Sequence, residues 1–386
     1  MSWLLAFALL GTEAAATRRP VAGGTLRLAF AEPIEAFSPS EAFTSAEWQV
    51  VALVHAGLYA ESALGEVRPS LAASAPERVT PRRFRVRLRP ARFHDGARLG
   101  AGAVVEAFRR LTGTLGAEAL DGLRATKVSD DVVQFDLAAD TTGEALAKRL
   151  SSPALSIAGG ATGTSGLGPF RVAAKGKTLK LARFDGFCLG VPFLESVEVE
   201  GGLGPGEVAR RFRYDEADVV FEDVDADPRT VVLTAKSPDL LGLVAKPAAC
   251  DRLGSEFPRL ELARRLPRAG PLSSAPLPAV AHGTRRGGFL GVPDWLLSDV
   301  RAAVGGDATW PLQPLDRNGL VAVLAGPTEL DGVLVTWPAA WSRSLVGRPT
   351  RFLPLVTQKR EAAYRRLRGL FFTSWGAVDF TGAFFP

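Results

Sequence analysis

Cysteine, methionine, histidine and asparagine are all scarce here: two, one, three and one among 386 residues. Cys188 and Cys250 are too few for a disulfide framework and too far apart for a metal knuckle. They are able to pair in an oxidising compartment, with two unpaired, half-buried thiols as the alternative. His55, His94 and His282 are isolated from one another and from both thiols, so no zinc cluster is expected. No uncharged apolar stretch of about 18 residues occurs, so no membrane-spanning helix is expected in the finished protein. Catalytic signatures are missing too. Gly163-Thr164-Ser165-Gly166-Leu167 has Leu where a nucleophile elbow needs its last glycine. Gly202-Leu203-Gly204-Pro205-Gly206 has the wrong spacing, and a proline, for a dinucleotide loop. His94 and Asp95 are adjacent on a turn, where neighbouring side chains point apart. Asp130-Asp131 and Asp225/Asp227 lie in turn-like contexts that solvation explains. Nothing argues for an enzyme, and no metal or cofactor is called for.

What is present is a globular composition, with 47% hydrophobic, 23% charged and 8% aromatic residues. At roughly 150 residues per domain the length suggests two or three units. Forty glycines and 27 prolines, scattered, suit a loop-rich mixed fold. Lys and Arg number 46 against 41 Asp and Glu, for a net charge of +5. The basic residues are dispersed among acids with no aromatic-and-basic stripe, so no nucleic-acid partner is expected.

Trp3 to Gly11 is an apolar run of nine, followed by Ala14-Ala15-Ala16, the ending of a secretory signal. Cleavage after Ala16 leaves a mature chain from Thr17. No Lys or Arg precedes the run, and a buried N-terminal helix is the alternative. No cysteine follows it, so a lipid anchor at that site is not expected.

Residues 23–30 alternate apolar and polar after a glycine turn and read as a strand. Ser45 is the expected N-cap of a helix over 47–58, with His55 as core filling. In 82–92, Phe84, Val86 and Leu88 alternate with arginines, the period of a half-buried strand with a solvated basic face. Phe93-His94-Asp95-Gly96 is a turn, and 102–111 an amphipathic helix. Strands are expected at 132–137, 178–184, 196–199 and 332–336. Val219-Val220-Phe221 and 230–233 suit strands of a buried sheet, and 201–206 a turn. Residues 258–278 read as a linker, and 295–304 and 358–367 as helices.

Four blocks in order resemble the family 5 extracellular solute-binding proteins, the peptide- and oligopeptide-binding components of ABC importers. They are GGTLRLAF at Gly23–Phe30, VALVHAGLY at Val51–Tyr59, RFRVRLRPARFHDGARLGAGAVVEAFRRL at Arg83–Leu111, and GLGPFRV with LARFDGFCLGVPFLESVEVE within Gly166–Glu200. The later half departs from the family. DGVLVTW at Asp331–Trp337 is similar to a family strand, but Pro338 follows where a ligand loop is usual, and the second lobe reads as shortened.

The resemblance implies an α/β, two-lobed periplasmic binding protein-like fold of type II, with the extra small domain of peptide-binding members. The expected division is a signal at 1–16, a first lobe from 17–50, 160–235 and 345–386, a small domain at 51–159, and a second lobe at 236–344. The implied activity is capture of a peptide or similar small solute between the lobes, delivered to an ABC permease in the inner membrane. The implied state is a periplasmic or extracellular monomer. Ligand candidates are Glu32, Phe37, Phe43, Trp337, Trp341 and Trp375. The alternative function is a degenerate binding fold acting as a non-transport interaction or sensory module.

Overall fold

A computed structural model describes residues 22–245, except 43, 113, 115–116, 121, 161–162, 223, 226 and 237–238. Beyond these it describes the backbone of five strands between 269 and 358, and then residues 360–386. The signal-like segment, Phe43, Cys250, Trp341 and the expected helix at 295–304 lie outside the described residues.

The chain opens with strand β1, Thr25–Ala29, and helix α1, Ser45–Val54. Thr44 rather than Ser45 is the N-cap. Its hydroxyl accepts from Glu47 N while the Glu47 carboxylate accepts from Thr44 N, a reciprocal capping box. The helix ends at Val54, short of the expected Leu58, with His55 as its C-cap.

The small domain follows. Strands β2 (Tyr59–Glu61) and β3 (Val67–Pro69) form a hairpin. A four-stranded antiparallel sheet then pairs β4 (Glu77–Thr80), β5 (Arg83–Arg87), β7 (Val132–Asp136) and β6 (Arg124–Lys127), in that spatial order. On β5, Phe84 and Val86 are buried and Arg83, Arg85 and Arg87 exposed, as the two-residue period requires. Helix α2 (Ala101–Leu111) covers the apolar face. It buries Ala101, Val104, Ala107, Phe108 and Leu111, one stripe at helical spacing, and the larger of these contribute about 1.5–3 kcal/mol each. Two short helices, α3 (Ala117–Leu120) and α4 (Gly143–Arg149), complete the domain.

The chain returns through β8 (Phe170–Ala174), β9 (Leu179–Arg183) and β10 (Ser196–Glu200) to helix α5 (Pro205–Arg213). Strands β11 (Val219–Val220) and β12 (Val231–Thr234) follow. Together with β19 (Glu361–Tyr364) they make a seven-stranded sheet in the order β12-β19-β11-β1-β10-β9-β8. β1 runs parallel to both β10 and β11. Leu26 and Leu28 pack under α1 with Val50 and Leu53, whereas Ala29 and Val220 pack under α5 with Val208 and Phe212. Arg27 holds Asp218 by a bidentate pair at 2.8 and 3.0 Å, pinning β1 to the start of β11.

Three expectations fail here. The 201–206 turn is instead the entry to α5, with Gly204 at φ 75 and Pro205 in the first turn. β12 is an edge strand, with Val231 and Val232 exposed, rather than part of a buried one. Residues 358–367 form no helix: Ala362 and Ala363 sit in β19, filling the slot between β11 and β12.

Strands from the chain between β12 and β19 form a second sheet of six. It comprises β13 (Asp239–Ala245), β14 (Ala269–Pro271), β15 (Gly287–Leu290), β16 (Leu312–Pro314), β17 (Gly332–Trp337) and β18 (Phe352–Gln358). Its order is β14-β18-β13-β17-β15-β16. β14 lies inside the stretch read as a linker. β18 pairs with β13, so the chain leaves this sheet at 359–360, later than the expected 345. A last hairpin pairs β20 (Phe371–Phe372) with β21 (Val378–Asp379).

Candidate functional site

The chain passes between the two large sheets twice, at 235–238 and at 359–360. Thr234 pairs with Glu361 on one side and Asp239 with Gln358 on the other. Between them Ala235 N donates to Arg360 O at 2.8 Å. Both passages are thus short and flanked by paired residues on either side. This is the construction of a two-stranded hinge.

The crossings leave the first sheet at the carboxyl ends of β1, β10, β11 and β12, where open α/β sheets bind ligands. The loop after β1 supplies that rim. Glu47 is fully buried, and its carboxylate accepts from Glu35 N and Ala36 N at 2.9 Å each, besides Thr44 N. One buried acid therefore shapes the loop from 35 to 44. Glu32 is half-buried, and its Oε2 accepts from Ala46 N at 3.0 Å in the first turn of α1. Arg360, from the second crossing, donates to Ser45 O at 3.1 Å. Rim, helix and hinge are thereby connected.

Phe37 is buried, with Lys175 Nζ 4.3 Å above its ring centre and its carbonyl 3.0 Å from His55 Nε2. Burial pushes the His55 imidazole down to about 4, overriding the Phe37 and Ile157 carbonyls that favour the charged form. His94 is also lowered by burial, against the pull of the Gly168 carbonyl 3.1 Å from its Nε2. Asp95 turns away to accept from Ala97 N, so the two adjacent residues make no dyad. Arg110 brings a cation to the same region. Its Nε donates to Glu106, and its buried Nη1 makes no hydrogen bond. A Cβ built on Gly163 would stand 3.6 Å from that Nη1 and 3.7 Å from Ser38 Oγ.

The segment Gly166-Leu167-Gly168 ties the first lobe to the small domain. Gly168 N donates to Val54 O, and Gly166 O accepts from His94 N, both at 2.9 Å. A Cβ on Gly166 would lie 1.8 Å from Val54 O, so only glycine fits.

Trp375 is buried, and its Nε1 donates to Ser151 Oγ at 3.0 Å, joining the C-terminal hairpin to the small domain. Beside it, Glu61 accepts from Lys148 Nζ, Ser374 N and Ser374 Oγ. A cavity of about 100 Å³ lies at this joint, below the roughly 300 Å³ where small-molecule pockets begin. Trp337 ends β17 opposite Leu240. The structure therefore places Glu32 and Phe37 in the loop after β1, with different partners, and Trp375 at a packing joint. Arg110 was missed: in sequence it is one arginine of an amphipathic helix. Cys188 is a free, half-buried thiol whose Sγ lies 3.6 Å from Ser70 O, and burial pushes it up. Among the described residues no three His, Cys, Asp or Glu side chains gather as a metal site.

Residues 66–239 match the family model described as bacterial extracellular solute-binding proteins, family 5 Middle. No curated protein matches the chain significantly. Among solved structures, the oligopeptide-binding protein AppA from Bacillus subtilis, in complex with a nonapeptide, superimposes with a TM-score of 0.71 at 13% identity, covering 95% of this chain and 100% of that one. OppA of Listeria monocytogenes, bound to peptide, gives 0.70 at 10% identity, with 94% and 99% covered. AgaA from A. tumefaciens R10, in complex with agropinic acid, gives 0.68 at 14% identity, with 92% and 96% covered. Residues 66–239 thus resemble the family 5 extracellular solute-binding proteins in sequence, and nearly the whole chain shares the fold of these solved binding proteins.

Proposed function

We propose that this protein is an exported receptor that captures a peptide or similar small solute between its two lobes for an ABC importer. The observation that carries this reading is the paired crossing at 235–238 and 359–360, set at the carboxyl ends of the first sheet's strands. A two-stranded hinge permits closure, and closure excludes water and strengthens the polar contacts made to an enclosed solute. Solved structures of similar fold are in complex with a nonapeptide, a peptide and agropinic acid. On this reading residues 1–16 are an export signal, the protein acts as a monomer outside the cytoplasmic membrane, and its partner is a membrane permease. Glu32 organises the rim through α1, and Phe37 and Arg110 supply an apolar wall and a cation beside it. The reading as a non-transport module has no observation of its own in its favour.

The test is native mass spectrometry of residues 17–386 before and after denaturation and refolding. A co-purified solute lost on denaturation, with small-angle scattering showing compaction when it is restored, is the expected result. No bound mass, and no thermal shift from a peptide pool, would overturn the receptor reading.

A further inference from the structure

The small domain carries a second concavity, built without the hinge. It encloses about 1000 Å³ between the hairpin at 91–99, the start of α2 and the turn at 184–186. The hairpin is closed by the bridge between Arg92 and Arg98, with Gly96 at φ 87 in its turn. Residues opposed in this way carry Cβ atoms about 5 Å apart, and like charges so placed repel. No carboxylate offsets these two. Arg92 Nη1 donates to Gly96 O at 2.8 Å, and Arg98 makes no hydrogen bond or ion pair among the described residues.

Other charges on the walls do not restore the balance. Arg89 donates to the carbonyls of Ala72 and Cys188, which leaves its positive charge uncancelled. Asp130 is taken by Lys127 at 2.6 Å, and Asp131 by Arg87 at 2.8 Å and Ser129 at 2.7 Å. Three arginines therefore line the groove with both carboxylates on its walls already engaged. Half-buried Phe184, with His94 edge-on at 4.8 Å, gives one wall an aromatic surface. The volume is at the upper end of the range for small-molecule sites.

We propose that this groove is a second ligand site, separate from the interlobe cleft, for a small molecule bearing a phosphate-type oxyanion. Arginine forks match such a group in two parallel hydrogen bonds, and an anion between Arg92 and Arg98 removes their mutual repulsion. Folding alone gives a surface hairpin no reason to oppose two arginines, since a residue of either sign keeps the strand soluble.

The probes are inorganic pyrophosphate, titrated calorimetrically into the full chain at low salt, and phosphatidylglycerol vesicles in a sedimentation assay. Arg92→Ala/Arg98→Ala removes only exposed side chains, and its melting temperature reports that it folds. The expected result is pyrophosphate binding weakened at least tenfold in that variant and unchanged in Arg82→Ala, whose arginine is paired with Asp140 away from the groove. Vesicle binding lost in the double variant would support the same site with a lipid headgroup as the source of the phosphate. Silence with both probes, or equal loss in Arg82→Ala, overturns the proposal. Neither probe depends on lobe closure, so failure here leaves the receptor reading standing, and the reverse.

Discussion

Acid should loosen this protein through one histidine. His55 is 3% exposed and closes α1, with Nε2 3.0 Å from the Phe37 carbonyl, so the neutral ring donates there and Nδ1 carries no proton. Nδ1 has no hydrogen-bond partner, and a proton added to it puts a charge into the core beneath the rim loop. The imidazole falls from 6.5 to about 4 on folding, which corresponds to about 3 kcal/mol. The folded value is depressed, so this stability is complete above pH 6.5 and drains away as pH falls towards 4. Between pH 7 and pH 5 the expected loss is about 2 kcal/mol. Urea unfolding of the wild type and of His55→Gln at both pH values isolates the effect, because glutamine does not titrate in this window. The wild type should lose about 2 kcal/mol more than the variant. Equal losses, or an imidazole titrating near 6.5 by NMR, would refute the reasoning.

Two other perturbations test the packing. Gly166→Ala forces a Cβ to 1.8 Å from Val54 O and should cost more than about 3 kcal/mol, whereas Gly102→Ala meets nothing within 4 Å and should stabilise α2 by about 0.5–1 kcal/mol, both read by thermal unfolding. Glu61→Ala leaves Lys148 and Ser374 without their shared carboxylate and should cost about 3–5 kcal/mol. Its first sign should be faster hydrogen exchange in the 371–379 hairpin.

Much of this fold was legible wherever the determinants are local. The alternation of Phe84 and Val86 with three arginines fixed β5, because a half-buried strand must change face at every residue. The spacing of Val104, Phe108 and Leu111 fixed α2, and Gly96 fixed the turn because its φ of 87 excludes most side chains. The start of α5 was read as a turn instead, although proline after a glycine and an acid in the first turn are helix-entry signals. The resemblance of residues 66–239 to a solute-binding family spans two of the four local blocks, at 83–111 and within 166–200.

What only the tertiary structure decided is of longer range. Residues 361–364 have the composition of a helix, yet they complete the first sheet because β11 and β12 offer open edges some 130 residues earlier in the chain. The same pairing creates the hinge, which no local pattern announces. The candidate site follows this division. Glu32 and Phe37 could be proposed because they sit just past an evident strand, whereas the proximity of Gly163 to both Arg110 and Ser38 joins three distant segments. Local periodicity reports which face of an element is buried. It says nothing of what that face, or the end of that strand, will meet.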